Sequence, residues 1–293
     1  MRHAVIDVGS NTIRTVIHEI NGKDHTVVHN ASDFAGIIGY IKDGRMSAEG
    51  MEVLAESLSG TADICKEHKC DNIHCFATAS LRDISNSGEV LERVRIRSGI
   101  DVKIISGSDE VMYDLAGLMS AVEAESGTGL DLGGGSCQLF TFENKSLRCS
   151  ISLPTGSLRM YDEFAGTEDA EDKISEYVRN LLSKHREFLG VAENKEIYAI
   201  GGTARIAAKV CDEVKSRECG GFISADDIEM LLCAGMRTRI KEIINQICPE
   251  RKDSLFSGCA VLRAICLCTG AAGIRIVRAG VREGFLYSEL LKK

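Results

Sequence analysis

The chain has 293 residues, of which 44% are hydrophobic and 27% are charged. This is the composition of an ordinary globular protein, and at about 150 residues per domain the length is typical of roughly two domains. The 35 basic and 43 acidic residues give a formal net charge of −8. That balance excludes the broad positive surface with which proteins bind nucleic acid polymers or acidic lipids, so a polyanionic ligand would have to be bound by a local site.

The N-terminal sequence and the cysteines indicate the compartment. The segment MRHAVIDVGSNT lacks the apolar stretch of roughly 7–15 residues that a secretory signal requires. Nowhere do about 18 uncharged apolar residues follow one another, as a membrane-spanning helix needs. Twelve cysteines in a chain of this length, without a signal peptide, favour reduced thiols over a disulfide framework. We therefore expect a cytoplasmic protein that does not bind membranes.

The first half of the sequence predicts an α/β domain, because β-branched strand-like segments alternate with segments of helical apolar spacing. The predicted strands are His3–Val8, Thr12–Ile20, His25–Asn30, Asn72–Ala77 and Val102–Ile105, and the predicted helices start at Ser47, Gly88 and Ser106. The first two strands are joined by the tight turn Gly9-Ser10-Asn11. We therefore expect the domain to open with a hairpin meander.

The opening pattern occurs a second time in the middle of the chain. DVGSNTIRTVI begins at Asp7 and DLGGGSCQLFT begins at Asp131. In each copy an apolar strand ends in Asp, a Gly/Ser turn comes next, and a second strand follows the turn. A repeat of this length indicates a duplicated supersecondary unit. We predict two related domains, residues 1–124 and 125–293, with a closing helix at about 284–293 able to pack back on the first.

The second half continues the α/β alternation. Further strands are predicted at Cys137–Phe142, Leu147–Leu153 and Ile274–Val277, and one long helix carries the apolar stripe Ile174, Tyr177, Val178, Leu181, His185 and Phe188. Another strand leads into Gly201-Gly202-Thr203 at the start of a helix. A closing helix is predicted over Arg282–Leu291.

The two glycine turns have the chemistry of phosphate-binding loops. Glycine lets backbone N–H groups approach a phosphate without a Cβ in the way. The side-chain donors of the turns are Ser10, Asn11, Thr12 and Ser136. Asp7 and Asp131 would repel a phosphate, but they can hold a divalent cation or a water beside one. One such turn is commonly an ordinary hairpin, whereas two at matching positions of a repeat favour a clamp on a phosphate chain.

Seven segments together resemble those of the exopolyphosphatase / guanosine pentaphosphate phosphatase (Ppx/GppA) family. In chain order they are DVGSNT at Asp7, ATASLRD at Ala77, IISGSDE at Ile104, DLGGGS at Asp131, SLPTGSLR at Ser152, AIGGTAR at Ala199 and GVREG at Gly280. The resemblance covers essentially the whole chain, in the short two-domain form of the family. It implies the duplicated actin-like fold, which is ribonuclease H-like, with two α/β domains around a cleft.

The resemblance also implies a hydrolase that releases orthophosphate from the end of inorganic polyphosphate or of guanosine pentaphosphate, with Mg²⁺ in the cleft. The family's catalytic glutamate falls on Glu110, and its role would be that of general base toward a water. The sequence places Glu110 in the first turn of a helix and off its apolar stripe, so that it can face a cleft. Asp7 and Asp131 would accompany it as holders of metal or water.

The implied phosphate contacts are the two loops, one arginine and a helix N-terminus. They are Gly9, Ser10, Asn11, Thr12, Arg82, Gly133, Gly134, Gly135, Ser136, Gly202 and Thr203. Arg82 matches the basic residue of the family's ATASLRD-type segment, and a guanidinium suits bidentate phosphate recognition. Lesser candidates are Arg14, Arg159, Arg205 and Arg282.

Two departures from the family pattern bear on the substrate. Where the family's second loop usually continues with an acid that helps to hold the metal, this chain has Gln138, which can act through a metal-bound water but brings no charge. Between His29 and Lys42, relatives often carry a basic residue along the phosphate path, and this chain has none. Short phosphate chains are therefore expected rather than long polyphosphate.

Other interpretations stay open on the sequence alone. An ATP-dependent phosphotransferase of the same superfold would need an adenosine pocket, and the missing charge at Gln138 would suit a non-catalytic phosphate or nucleotide sensor. Cys65, His68 and Cys70, with His74 and Cys75, could be drawn as a zinc site. Their spacing fits no standard zinc pattern, and Cys65 lies on an apolar helix stripe, which favours a core cysteine. A homodimer is suggested only by analogy with the family.

Overall fold

The computed structural model describes residues 1–193, 195–216 and 220–291. Their backbone contacts divide the chain into two compact units, residues 1–110 with the segment from Phe285 onward, and residues 111–284. We expected the boundary after residue 124. The contacts place it earlier because Val111, Leu115 and Leu118 are buried in one apolar cluster with Phe140 of the second unit. Residues 292 and 293 of the predicted closing helix lie outside the described residues.

The first unit is built on a mixed sheet. Its strands are β1 (Arg2–Val8), β2 (Ile13–Asn21), β3 (Asp24–Asp33), β4 (Ile41–Lys42), β5 (Arg45–Met46), β6 (Asn72–Ala77) and β7 (Val102–Ile104). The sheet order is β3-β2-β1-β6-β7, in which β1, β6 and β7 are parallel and β2 is antiparallel to both its neighbours. The strands predicted for this half are confirmed. The separate hairpin of β4 and β5 was not predicted, since two-residue strands show no periodicity.

The helices that follow these strands are α1 (Ala48–Glu67), α2 (Ala79–Arg82), α3 (Ser87–Ser98) and α4 (Gly107–Ala121). Helix α1 begins where predicted, because the Ser47 side chain accepts a hydrogen bond from the Gly50 N–H. Its apolar stripe is buried in the core of the first unit, together with Cys65 and the strand residue Cys75. Burial raises the pKa of both thiols. The prediction that Cys65 is a core residue is confirmed.

The second unit repeats the sheet of the first. Its strands are β8 (Ser126–Leu132), β9 (Cys137–Glu143), β10 (Ser146–Leu153), β11 (Ile197–Ile200), β12 (Phe222–Ser224) and β13 (Gly273–Ile276). The order is β10-β9-β8-β11-β13-β12, with β9 antiparallel between β10 and β8, and β8, β11 and β13 parallel. Apart from the edge strand β12, this is the order of the first unit. The strand order is ribonuclease H-like, and its duplication confirms the predicted actin-like class.

The helices of the second unit are α5 (Ser157–Glu163), α6 (Ala170–Leu182), α7 (Arg186–Ala192), α8 (Gly202–Lys215), α9 (Ala225–Leu232), α10 (Arg237–Ile247), α11 (Ser254–Thr269) and α12 (Val281–Phe285). The prediction of one long helix from Ile174 to Phe188 is wrong, because α6 and α7 are separate. The backbone of His185 between them leaves helical geometry, at φ −108° and ψ 55°. Ile174 and Phe188 are nevertheless buried in one core. The apolar stripe therefore predicted correctly which side chains are buried, but not that they belong to one continuous helix.

The end of the chain also differs from the closing helix predicted over Arg282–Leu291. Helix α12 ends at Phe285, and a π-helical turn follows over Leu286–Leu290. In the described part of the chain, no helix combines the length and apolar character that crossing a membrane requires. The cysteines that the structure describes are free thiols, and Cys219 lies outside the described residues.

Candidate active site

The first candidate loop joins β1 to β2. The Gly9 N–H donates to the carbonyl oxygen three residues further on at 3.1 Å, which closes a tight turn. A neighbouring segment supports this loop, since the Gly36 N–H donates to the Asn11 carbonyl at 3.0 Å and the Ile38 N–H donates to the Ser10 carbonyl at 2.9 Å. Three carbonyl oxygens of the loop, those of Ser10, Asn11 and Thr12, are thus already bonded. Its remaining polar groups are mainly donors, which is the character of an anion-binding loop.

The second loop, between β8 and β9, has the same internal hydrogen bond. The Gly133 N–H donates to the carbonyl oxygen three residues further on at 3.0 Å. The start of α5 supports it: the Ser157 N–H donates to the Gly133 carbonyl at 2.9 Å, and the N–H groups of Leu158 and Arg159 donate to the Gly134 carbonyl, each at 3.0 Å. The two loops therefore share the internal hydrogen bond, and a neighbouring segment supports each of them.

A third segment lies beside the aspartate of the second loop. Strand β11 pairs in parallel with β8, which sets Ile200 opposite Asp131. Gly201 follows with φ +96°, and a Cβ at this position would lie 2.7 Å from Oδ1 of Asp131. Only glycine combines this backbone conformation with so close an approach. The structure thus brings Asp131 together with the Gly201–Thr203 segment that the sequence singled out separately.

A series of hydrogen bonds connects the start of α8 to the second loop. Arg251 Nη1 donates to Thr203 Oγ1 at 3.1 Å, Thr203 Oγ1 donates to Ser157 Oγ at 3.2 Å, and Ser157 Oγ donates to the Gly133 carbonyl at 3.3 Å. The Arg251 guanidinium also lies so close to Gly202 that a Cβ there would overlap it. A positively charged group therefore lies directly at the N-terminus of α8, where anions are favoured.

Arg251 belongs to a larger group of charges around Asp131. Burial lowers the pKa of Arg205; the nearby charges of Arg282 and Arg251 lower it further, while those of Asp131 and Glu283 raise it. Burial also lowers the pKa of Arg251. Arginine keeps its proton in proteins, so these side chains supply fixed positive charge near the second loop. Sequence reasoning missed Arg251, because its turn is distant along the chain from the glycine segments that it touches and matches none of the motifs.

Glu110 lies in the first turn of α4 and is only 5% exposed. Its Oε2 atom lies 2.9 Å from Nη1 of Arg82, the last residue of α2. Arg82 also donates to the Ile105 carbonyl at 3.3 Å and lies 3.4 Å from Asp83. The sequence treated Glu110 and Arg82 as separate candidates, and the structure joins them in one ion pair. The guanidinium orients the carboxylate and balances a charge whose burial is otherwise costly.

The residues opposite the two loop aspartates differ between the units. Asp131 pairs with Gln138 across β8 and β9, and Asp7 pairs with Arg14 across β1 and β2. Members of such a pair project from the same face of the sheet. Gln138 is 1% exposed, and its side-chain amide donates to Ser136 Oγ at 2.9 Å. Gln138 therefore lies beside Asp131 in the register and supports the hydroxyl of the second loop.

These features define a phosphate-binding protein of the actin-like class, since each sheet carries an aspartate followed by a glycine loop and the arginines Arg205 and Arg251 lie near the second loop. The family follows from comparison with known proteins. The model of the Ppx/GppA phosphatase family matches residues 23–293. The chain belongs to this family and is a phosphatase.

Relatives span nearly the whole chain at low identity. Exopolyphosphatase 1 of Mycobacterium tuberculosis is 22% identical over 310 residues, which cover 99% of this chain and 88% of that protein. A bifunctional 3-dehydroquinate synthase/phosphatase of Fusobacterium nucleatum is 22% identical over 89% of this chain and 42% of that protein. Among solved structures, an exopolyphosphatase from Cytophaga hutchinsonii has a TM-score of 0.87 at 21% identity, covering 99% of this chain and 98% of its own. The Aquifex aeolicus member of the Ppx/GppA family has a TM-score of 0.77 at 22% identity, with the same coverage.

Proposed function

We propose that the protein hydrolyses the terminal phosphoanhydride of inorganic polyphosphate, with short chains favoured, or of guanosine pentaphosphate, and releases orthophosphate. Membership of the Ppx/GppA family and the two glycine loops, which share the same internal hydrogen bond, support this reaction. The observation that carries the proposal is the ion pair between Glu110 and Arg82. It holds a buried carboxylate in one orientation, which a general base requires.

The proposed reaction needs one acid–base group. Glu110 takes a proton from a water as the water oxygen bonds to the terminal phosphorus. The bridging P–O bond breaks on the opposite side, and the substrate leaves shortened by one phosphate. The remaining catalysis is positioning and neutralisation of charge. In this proposal the backbone N–H groups of Gly9–Thr12 and Gly133–Ser136 bind phosphate oxygens, and Arg205 and Arg251 supply positive charge near the second loop.

The side-chain oxygens of Asp7, Asp131 and Gln138 are of the kind that Mg²⁺ binds. Among residues 1–193, 195–216 and 220–291, no three His, Cys, Asp or Glu side chains form a group that could hold a metal. Mg²⁺ commonly uses one or two carboxylates and takes its other ligands from water and substrate phosphates. In the second unit Asp131 would supply a carboxylate and Gln138 would act through a water, and Asp7 is the corresponding carboxylate candidate of the first unit. When bound, the ion would neutralise phosphate charge.

Orthophosphate release from tripolyphosphate, long-chain polyphosphate, guanosine pentaphosphate and ATP, each with and without Mg²⁺, tests the proposal. We expect Mg²⁺-dependent release from tripolyphosphate and guanosine pentaphosphate. Glu110→Gln should lower kcat by a factor of about 10²–10⁴, the usual contribution of general acid–base catalysis. Asp109→Asn is the matched control. This neighbour is exposed, and its contacts are with Ser106, which asparagine can keep, so its kcat should equal that of wild type.

The same measurements distinguish the competing functions. A Glu110→Gln variant as fast as wild type would remove Glu110 from the role of base. Binding without release from any substrate would make the protein a phosphate or nucleotide sensor, a function favoured by the uncharged and buried Gln138. The Gln138→Glu variant distinguishes a phosphatase from a sensor, because the added negative charge should raise the affinity of a phosphatase for Mg²⁺. Transfer of phosphate from ATP to an acceptor would indicate a phosphotransferase.

A further inference from the structure

The C-terminal end of helix α1 brings two cysteines together. The Cys70 N–H donates to the Cys65 carbonyl at 2.9 Å, and the Lys69 N–H donates to the Lys66 carbonyl at 3.0 Å. Lys69 has the left-handed conformation, with φ 53°. These two hydrogen bonds and the left-handed residue form a Schellman motif, in which side chains at the positions of Cys65 and Cys70 frequently contact each other. The motif therefore places one thiol beside the other.

The two thiols contact each other and differ in accessibility. The side chains of Cys65 and Cys70 are hydrogen-bonded to each other. Cys65 is 1% exposed and belongs to the core of the first unit, whereas Cys70 is partly exposed. A disulfide needs Cα atoms roughly 4.4–6.8 Å apart and side chains that point toward each other. The direct backbone hydrogen bond accords with the first requirement, and the contact between the thiols accords with the second.

The surroundings of the two thiols make Cys70 the one that reacts first. Burial raises the pKa of Cys65 to about 12, so this thiol stays protonated. Burial also raises the pKa of Cys70; the hydrogen bond with Cys65 and the charge of Arg2 lower it, and the charge of Asp71 raises it. Arg2 is held at this turn, because its Nη1 donates to the His68 carbonyl at 2.8 Å. Cys70 is therefore the accessible thiol beside a positive charge, which is the setting of a reactive cysteine.

We propose that Cys65 and Cys70 form a reversible disulfide when the protein meets a hydroperoxide, a modification independent of the phosphatase function. The Cys70 sulfur attacks one peroxide oxygen, the O–O bond breaks, and the other oxygen leaves with a proton as water. The sulfur of Cys65, giving up its proton, then attacks the sulfenic acid at Cys70; the S–O bond breaks, and a second water leaves. Two thiols and one molecule of hydrogen peroxide thus give one disulfide and two waters.

Peptide mapping after treatment with hydrogen peroxide tests the proposal. Trypsin cuts after Lys66 and Lys69, so the disulfide should join two peptides, one that ends in Cys65-Lys66 and one that begins at Cys70. The joined species should lack two hydrogen atoms and should separate on reduction with dithiothreitol. It should be absent from Cys70→Ser, a replacement at a partly exposed position. In Cys65→Ala the sulfenic acid at Cys70 loses its partner and should proceed to sulfinic acid.

The matched control is Cys233→Ser. Cys233 is an exposed free thiol of the second unit, so its replacement should leave the disulfide between Cys65 and Cys70 as in wild type. Protein unfolded in urea before the same treatment is a second control. It should give several cysteine pairs, because the Schellman motif that selects one pair is then lost. The same mixture of pairs from the folded protein would overturn the proposal.

A third thiol gives the test a definite alternative. Cys75 is buried in the same core, and the charge of Cys65 affects its pKa. The tryptic peptide that begins at Cys70 also contains Cys75, and fragment ions of the joined species distinguish the two. A link from Cys65 to Cys75 would overturn the assignment, as would sulfinic acid at Cys70 of wild type beside a free Cys65. The assignment would also be wrong if no joined species formed at a peroxide concentration that oxidises Cys233.

Discussion

At the scale of single residues, Gly156 determines how closely α5 can approach the second loop. A Cβ at this position would overlap the backbone of Gly134, and the N–H groups that follow Gly156 hold the carbonyl oxygens of that loop. We expect Gly156→Ala to lower the free energy of unfolding by about 1–3 kcal/mol, the usual cost of an overfilled interior. It should also lower kcat/KM by up to about a hundredfold, because a small displacement of a positioning group has large effects on rate.

The matched control for Gly156→Ala is Gly190→Ala. Gly190 lies in α7, and a Cβ there would meet no atom within 4 Å. Alanine in a helix should raise stability by about 0.5–1 kcal/mol and leave the rate unchanged. Thermal unfolding and orthophosphate release measure both effects. A Gly156→Ala variant with the stability and rate of wild type would show that the close approach to Gly134 is not required.

At the scale of elements, the adjacent strands β1 and β6 bring two histidines into contact. The rings of His3 and His74 are stacked with centroids 5.5 Å apart, and His3 Nδ1 lies 3.2 Å from His74 Nε2. Burial lowers the pKa of both side chains. The N-terminal charge lowers the pKa of His3 further, against an opposing effect of Asp71, and the charge of His3 lowers the pKa of His74. The folded state therefore favours the neutral pair.

This pair makes stability depend on pH. Because its folded-state pKa values lie below the ordinary histidine value of 6.5, the unfolded chain binds more protons as the pH falls. The pair makes its full contribution to the free energy of unfolding above pH 6.5. This contribution is lost as the pH falls from there toward the pKa values of the two histidines in the folded state. We expect urea unfolding to show a falling free energy across this window, and His74→Gln to flatten the fall. His185→Gln in the second unit should not. An unchanged slope in His74→Gln would assign the dependence to other groups.

At the scale of the whole molecule, the end of the chain completes the unit with which the chain begins. The segment from Phe285 onward belongs with residues 1–110. The Phe285 ring lies 5.3 Å from the His74 ring and 5.6 Å from the Phe76 ring, between centroids. Leu286, which follows, is 1% exposed. Phe285 of the C-terminal segment therefore packs against side chains of β6 in the first unit.

We expect Leu286→Ala to lower the stability of the first unit by about 2–5 kcal/mol, the usual effect of removing a buried leucine side chain. Hydrogen exchange of the β1 and β6 amides is the suitable measurement, since two units need not unfold as one. Leu267→Ala is the control, because Leu267 is 60% exposed and its replacement should change stability by less than about 0.5 kcal/mol. Unchanged exchange in Leu286→Ala would separate the C-terminal segment from the core of the first unit.

The strands of both units could be predicted because alternation and β-branched residues are properties of contiguous sequence. The same reasoning failed over residues 170–192, where an apolar stripe continues across two helices. A stripe records which side chains are buried, and it carries no information on whether the backbone hydrogen bonds between them are unbroken. The hairpin of Ile41–Lys42 and Arg45–Met46 is too short for any period to be seen.

By itself, the sequence determined the duplicated α/β fold, the two glycine loops and, through a family motif, the candidate base Glu110. Each of these rests on residues that are contiguous in the chain. Only the tertiary structure decided that Arg82 holds Glu110 and that Arg251 reaches Thr203. These contacts join residues distant in the sequence, and strand order, register and helix packing create them. Local patterns of polarity and glycine do not encode such distances.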